Sequence, residues 1–268
     1  MNKTTSASIF ICMKKILVTG SEGFIGKHLC KYLAKKYDVI GIDRKNGEET
    51  SDLTEDYVSG FDAVIHLAAQ TSVWNDDDEQ IVRDNIDCFV KLFNLCKNLN
   101  KRFVYASSSC AINITSTYGL SKMFDEEYAK INNHHNSVGI RLHNVYGPDS
   151  RGNTLPGILL NNDAITLYNN GKNTRHFTYV NDVCFALEWA LTLKEGIYNA
   201  YNPEEISTLD FVNMFRKYKP IEIVLTDEIK ERDKDIQHVD KKIRNLLEYN
   251  HTTTFDGIYD MFYKKGLA

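Results

Sequence analysis

A chain of 268 residues, 43% hydrophobic and 25% charged, has the composition of a soluble globular protein with one large core, or one core and a small lobe. Its net charge of −4, with no run of Lys and Arg interleaved with aromatics, excludes a nucleic-acid footprint. No apolar stretch approaches a membrane span. Six cysteines (Cys12, Cys30, Cys88, Cys96, Cys110, Cys184) show neither a C-x-x-C pair nor a metal-ligand spacing. Reduced thiols, a cytoplasmic location and no metal are therefore expected.

Residues 1–12 read as a flexible extension, because the apolar run Ser8–Cys12 is too short for a signal peptide. A first strand over 15–19 runs into Thr19-Gly20-Ser21-Glu22-Gly23-Phe24-Ile25-Gly26 and then into a helix over 24–36. Strand, glycines three apart, and helix together bring backbone N–H groups against a pyrophosphate. Gly20 permits the tight turn, Gly23 the approach of the phosphate, and Gly26 close helix–strand packing. The second strand, 39–43, ends in Asp43, where a carboxylate can bind the adenosine ribose hydroxyls. Asp43 favours NAD because it repels a 2′-phosphate; Arg44 and Lys45 leave NADP open as the alternative.

Further strands over 62–66, 102–106 and 138–142 alternate with helices over 78–99 and 118–133. Nearly all-apolar strands alternating with helices imply a parallel sheet covered on both faces. The expected class is thus α/β, a Rossmann-type doubly wound sheet with a small C-terminal lobe. After Gly147-Pro148 the pattern weakens to helices over 155–160, 182–194, 208–218 and 253–264, with short strands near 175–180, 197–199 and 221–225. The dinucleotide-binding domain is expected over 13–150 plus part of 175–200, and the substrate-binding lobe mainly over 151–268. His134-His135, among Asn residues, read as a solvated turn rather than a metal site. The acidic run Asp76–Glu79 reads as charge at a helix N-terminus. Trp74 is placed either against the sugar or in packing.

Tyr118 and Lys122 stand four residues apart and share a helix face. A free phenol titrates near ~10, too high for a base at neutral pH, and a neighbouring ammonium favours the phenolate. Tyr118 can then take a sugar hydroxyl proton as hydride leaves the same carbon, with Lys122 also reaching the nicotinamide ribose. The strand end Ser107-Ser108-Ser109-Cys110 supplies hydroxyls to orient the reacting oxygen.

With these motifs the chain resembles an extended short-chain dehydrogenase/reductase of the nucleotide-sugar epimerase/dehydratase group. Asp52-Leu53 resembles the pair that contacts adenine, and His66-Leu67-Ala68-Ala69-Gln70 the motif lining the cofactor, with Gln70 toward the substrate. Asn85 matches a helix Asn that ties the central strands. Arg141-Leu142-His143-Asn144-Val145-Tyr146-Gly147-Pro148 resembles R-x-x-N-V-Y-G-P, whose Asn contacts the sugar nucleotide. Arg175-His176-Phe177-Thr178 is similar to R-D-[FY]-[TI], whose Arg grips the UDP or dTDP pyrophosphate, with Arg232 as a second such Arg. In relatives the helices matching 78–99 and 118–133 pair into a four-helix bundle, which implies a homodimer.

All members of the group begin by passing hydride from sugar C4 to NAD(P). The ungapped spacing from Ser107 to Tyr118 is most similar to inverting UDP-GlcNAc 4,6-dehydratases of the 5-epimerase type, which favours water elimination from UDP-GlcNAc or UDP-glucose. Ser109 and Cys110 stand where those dehydratases carry their acid and Lys, so Cys110 becomes the candidate base. That departure keeps a UDP-sugar 4-epimerase as the alternative. A 4-keto reductase and a non-catalytic dinucleotide sensor rank below both.

Overall fold

The computed structural model describes residues 14–71, 77–229 and 239–264. Six strands form one all-parallel sheet: β1 (Lys15–Thr19), β2 (Asp38–Ile42), β3 (Ala63–His66), β4 (Arg102–Ser108), β5 (Ser137–Leu142) and β6 (Gly196–Ala200), in the order β6-β5-β4-β3-β1-β2. The chain winds outward from β1 to β2, then returns to the far side of β1 as β3. That reversal opens a crevice above the carboxyl ends of β1 and β3.

Apolar strands work here because both faces are buried. Ile16, Val18, Ile65, Val104 and Ile140 pack with Leu29, Leu33, Ala186 and Leu187 on one face. Leu17, Val64, Phe103 and Tyr105 pack with Phe89, Leu92 and Phe93 on the other. Each such Leu, Val or Phe contributes about 1.5–3 kcal/mol by leaving water. The covering helices are α1 (Phe24–Leu33), α2 (Cys88–Asn98), α3 (Thr117–Asn132) and α4 (Val180–Ala190).

Ahead of α2, the turn Asp78–Ile81 leads into a six-residue π-helical stretch, Val82–Asp87. Sequence periodicity over 78–99 predicts a plain helix; the extra residue per turn rotates Asp84 and Asn85 toward the loop after β3. Asn85 accepts from the Gln70 amide at 2.7 Å and donates to the Gln70 carbonyl at 2.9 Å and to Ser121 Oγ at 3.0 Å. It therefore ties that loop to α3.

Beyond β5 the chain forms small two-stranded pairs: Val145–Tyr146 with Thr178–Tyr179, Thr174–Arg175 with Ile206–Ser207, and Ala164–Leu167 with Glu222–Leu225. Helix Thr254–Lys264 closes over them, and Tyr146 donates to the Thr254 carbonyl at 3.0 Å.

His134 corrects the expectation of a solvated turn. It is buried, its Nε2 lies 3.0 Å from the Lys101 carbonyl, and its ring meets Phe93 edge-on; His135 alone faces solvent. A more consequential histidine is His143, 0% exposed, with neither ring nitrogen hydrogen-bonded among the described residues and Tyr201 packed at 5.0 Å. Burial, then His176 and Arg141, lower its pKa from 6.5 to about 3. Because the folded value is depressed, this group's contribution is lost as pH falls through 6.5 toward 3. His143→Phe removes two unsatisfied nitrogens, so a gain of about 1–2 kcal/mol is expected at neutral pH. The margin should widen below pH 6.5 in urea unfolding. Equal or lower stability for His143→Phe at both pH values would contradict this reading.

Candidate active site

The crevice holds a cavity of about 560 Å³ lined from both sides of the switch point. At one end lies the glycine turn. Gly20 has φ +72°, and a Cβ there would stand 2.7 Å from the Ala68 amide nitrogen. A Cβ on Gly26 would stand 2.1 Å from the Gly20 carbonyl oxygen, so α1 can start this close to β1 only without a side chain. These glycines leave open the space a pyrophosphate needs at the N-terminus of α1.

Asp43 caps the loop after β2 and accepts from the Glu22 amide at 3.0 Å and the Lys45 amide at 2.9 Å. Arg44 forks onto Asp84 through two 2.9 Å bonds, and also pairs with Glu49 at 3.3 Å. Lys45 Nζ donates to the Glu22 carbonyl at 3.1 Å. Both cations that could have received a 2′-phosphate are thus engaged, and Glu48 and Glu49 line the wall beside Asp43. This surrounding fits the two ribose hydroxyls of NAD and repels the extra phosphate of NADP.

At the other end, the carboxyl end of β4 meets the first turn of α3. Tyr118 is partly buried, with its phenol hydrogen-bonded to Ser108. Burial is the largest influence and raises the phenol above its ordinary value; Lys122, the Ser108 bond and Arg151 pull it down, and Cys110 pushes it up. The expectation that Lys122 prevails is therefore reversed in the protein alone. Lys122 is 4% exposed and its Nζ sits 3.0 Å from Asp125 Oδ2. Behind them Glu126 accepts from Ser107 Oγ at 2.5 Å and from Arg141 Nε at 2.8 Å and Nη2 at 2.6 Å. This buried bond set fixes the β4 end against α3.

Most of the expected residues converge on the cavity wall: Gly20, Gly23, Phe24, Ile25, Gly26, Asp43 and Arg44 at the adenosine end; Leu67, Ala68, Ala69 and Gln70 along the middle; Ser108, Ser109, Cys110, Tyr118, Lys122 and Asn144 at the reacting end. Four do not. Glu22 offers its backbone to Asp43 while its carboxylate pairs with Lys27 at 3.3 Å. Leu53 is in the core and Asp52 is exposed; Glu48, Glu49 and Thr50 line the wall in their place. Arg175 lies on its small strand pair with Nη1 donating to the Thr174 carbonyl at 2.8 Å, off this wall. Arg232 and Trp74 fall outside the described residues.

Sequence reasoning missed Arg151, which lines the cavity, acts on Tyr118 and donates to Thr71 Oγ1. It follows the motif ending at Pro148 and carries no signal of its own. Asp84 was equally silent, although it receives the Gln70 side-chain amide at 2.9 Å as well as the Arg44 fork, and so links the adenosine end to the middle of the cavity.

A protein-family model described as the NAD dependent epimerase/dehydratase family matches residues 16–202. The chain belongs to that family. NAD is accordingly its cofactor, in agreement with the Asp43 surroundings. Among curated relatives, a dTDP-D-glucose 4,6-dehydratase of Dictyostelium discoideum is 29% identical over 74% of this chain. The match spans 60% of that relative's length. An uncharacterised UDP-glucose epimerase of Bacillus subtilis is 27% identical over 91% of this chain and 95% of its own. A putative UDP-glucose 4-epimerase of Methanocaldococcus jannaschii is 30% identical over 75% and 81%. Two solved structures share the fold. A UDP-N-acetylglucosamine 4-epimerase of Methanobrevibacter ruminantium has a TM-score of 0.80 at 23% identity, covering 94% of this chain and 99% of that one. An NDP-hexosamine 5,6-dehydratase of tunicamycin biosynthesis has a TM-score of 0.79 at 20% identity, covering 94% and 98%. The chain is thus an enzyme of the NAD-dependent epimerase/dehydratase family, and its relatives include both kinds. Among the described residues no helix is long and apolar enough to cross a membrane.

Proposed function

We propose that this chain is a UDP-sugar 4-epimerase that acts through a 4-keto hexose. Tyr118 takes the proton from the C4 hydroxyl while Ser108 holds that oxygen by hydrogen bonding. Bound NAD supplies a reversible hydride acceptor for C4. After the keto sugar turns over in the site, C4 takes the hydride back on its other face, the Tyr118 phenol returns its proton to O4, and the opposite configuration results. Gln70 and Asn144 line the same space and are assigned to the sugar nucleotide. Arg175 and Arg232 remain the candidates for the diphosphate.

One observation carries the choice of reaction. The described wall holds four carboxyl groups, Asp43, Glu48, Glu49 and Asp84; Asp84 and Glu49 pair with Arg44, and Asp43 is held by the Glu22 and Lys45 amides, at the adenosine end. Elimination of water across C5 and C6 needs a second base for the C5 proton and an acid for the leaving hydroxide. Epimerisation at C4 needs only the Tyr118 phenol. The spacing that resembles 4,6-dehydratases supports a second reading, in which Cys110, on the same wall and electrostatically linked to Tyr118, removes the C5 proton.

Offering UDP-GlcNAc and UDP-glucose separately to the NAD-loaded protein tests this. Unchanged mass with inverted C4 is expected. Loss of the mass of one water would replace this reading with the dehydratase, and no hydride transfer with any nucleotide sugar would favour a sensor. We also propose a homodimer through the faces of helices 78–99 and 118–133, where Val82, Leu120 and Ile131 are exposed. A monomer at micromolar concentration in a size measurement would remove the dimer.

A further inference from the structure

Lys122 presents a physical problem. Its ammonium is strongly hydrated in water, yet here it is 4% exposed on the inward face of α3. Burial is the largest influence on it and pulls its pKa down; Asp125, Tyr118 and Glu126 push it up, and the net direction is upward. Of these anions, Asp125 makes the contact, Oδ2 to Nζ at 3.0 Å, with the carboxylate itself 0% exposed. Glu126 cannot substitute, because its oxygens are held by Arg141 and Ser107.

Asp125 is an expensive residue for a fold to keep. Its second oxygen, Oδ1, is buried with no hydrogen-bond partner among the described residues, and a half-satisfied buried carboxylate costs more than an apolar side chain of similar size. The titratable groups coupled to this pair are Tyr118 and Glu126 on α3, Tyr105 on β4 and His66 on β3. Tyr105 feels the Asp125 charge, His66 feels Lys122, and Arg141 is committed to Glu126. Burial, then Glu126, push the Asp125 carboxyl up from 3.8 to about 7, against the pull of Lys122. Among the described residues its one side-chain hydrogen bond is to Lys122.

We propose that Asp125 is a positioning residue for the redox site: its carboxylate anchors the Lys122 ammonium beneath Tyr118 and keeps it charged there, so that the acidity of the Tyr118 phenol is set through Lys122 by a third residue. This rests on the assignment of Tyr118 as the base. Lys122 is the largest charge acting on Tyr118. Without Asp125, burial acts on Lys122 unopposed at its nearest point and favours the neutral amine. Tyr118 then loses the charge that lowers its pKa.

The test reads Tyr118 directly. The ultraviolet phenolate titration of each protein, minus that of the same protein carrying Tyr118→Phe, gives the Tyr118 midpoint with and without NAD. Asp125→Asn is expected to raise that midpoint by about one pH unit or more. In a Lys122→Met background, Asp125→Asn is expected not to raise it, because only the repulsion of the phenolate by the carboxylate is left to remove. An unchanged or lowered midpoint in the single variant overturns the proposal. So does a rise in the Lys122→Met background, since Asp125 would then favour the phenolate without Lys122. Should Asp125→Asn alone fail to fold, the comparison of Lys122→Met with the double variant stands, because the double variant leaves no buried charge of this pair unmatched. If Tyr118→Phe leaves hydride transfer intact, the proposed function fails, whatever the titration shows; if only the titration fails, Asp125 alone is excluded.

Discussion

Tyr118→Phe is expected to slow hydride transfer from a nucleotide sugar by about 10²–10⁴-fold, the range that a positioned acid–base group supplies. The substitution removes one oxygen from the cavity wall and leaves the glycine turn, Asp43 and Lys122 in place, so NAD affinity should change little. The pH dependence follows from the direction of the shift. Burial holds the Tyr118 phenol above its ordinary value, so the ionised fraction is small at neutral pH and grows with each unit upward. The parent rate should therefore rise with pH through the neutral range, and the Phe variant should show no such limb. Single-turnover reduction of bound NAD measures both. A parent profile that falls with pH, or a Phe variant within about threefold of the parent, would contradict the assignment of Tyr118 as base.

The second large effect is structural. Glu126→Ala is expected to cost about 2–4 kcal/mol, because it leaves the largely buried Arg141 guanidinium with only Asp240, 3.7 Å from Nη1. Ser107 loses its acceptor at the same time, and with it the tie between the end of β4 and α3. The neighbouring Ser108 then has less to hold it against Tyr118, so turnover should fall along with stability. Replacing Glu126 and Arg141 together by apolar residues of similar volume should recover most of the stability while the activity stays low. A loss below about 1 kcal/mol in chemical denaturation of Glu126→Ala would show the bridge to be solvated, like a surface pair.

The sheet was legible because burial on both faces forces continuous apolar runs, which no other common element requires at that length. The expected strands 15–19 and 138–142 match β1 and β5 to within a residue, and 197–199 lies inside β6. The dinucleotide turn was legible for a steric reason: only glycine fits 2.1 Å from the Gly20 carbonyl. What stayed hidden depends on partners distant in sequence. The π-helical stretch Val82–Asp87 shifts the hydrophobic pattern by a single residue, too little to break a helical period, yet it decides where Asp84 and Asn85 point. His134 looked solvated by the company of its Asn neighbours, but Phe93 covers it. Asp125 follows Lys122 at helical spacing and could have been noticed, but charge pairs at that spacing usually face water. Only the packed sheet shows this one to be buried.

The central assignment is hydride removal from C4 with Tyr118 on O4, and a nucleotide sugar carrying deuterium at C4 tests it most directly. With the NAD-loaded protein, the product is expected to retain the deuterium at C4 with the configuration inverted, and the transfer should be slowed relative to the protio sugar. Deuterium found at C6 would show elimination instead. Inversion with deuterium lost to solvent, or with no isotope effect on single-turnover transfer, would contradict hydride transfer at C4 and with it the role given to Tyr118.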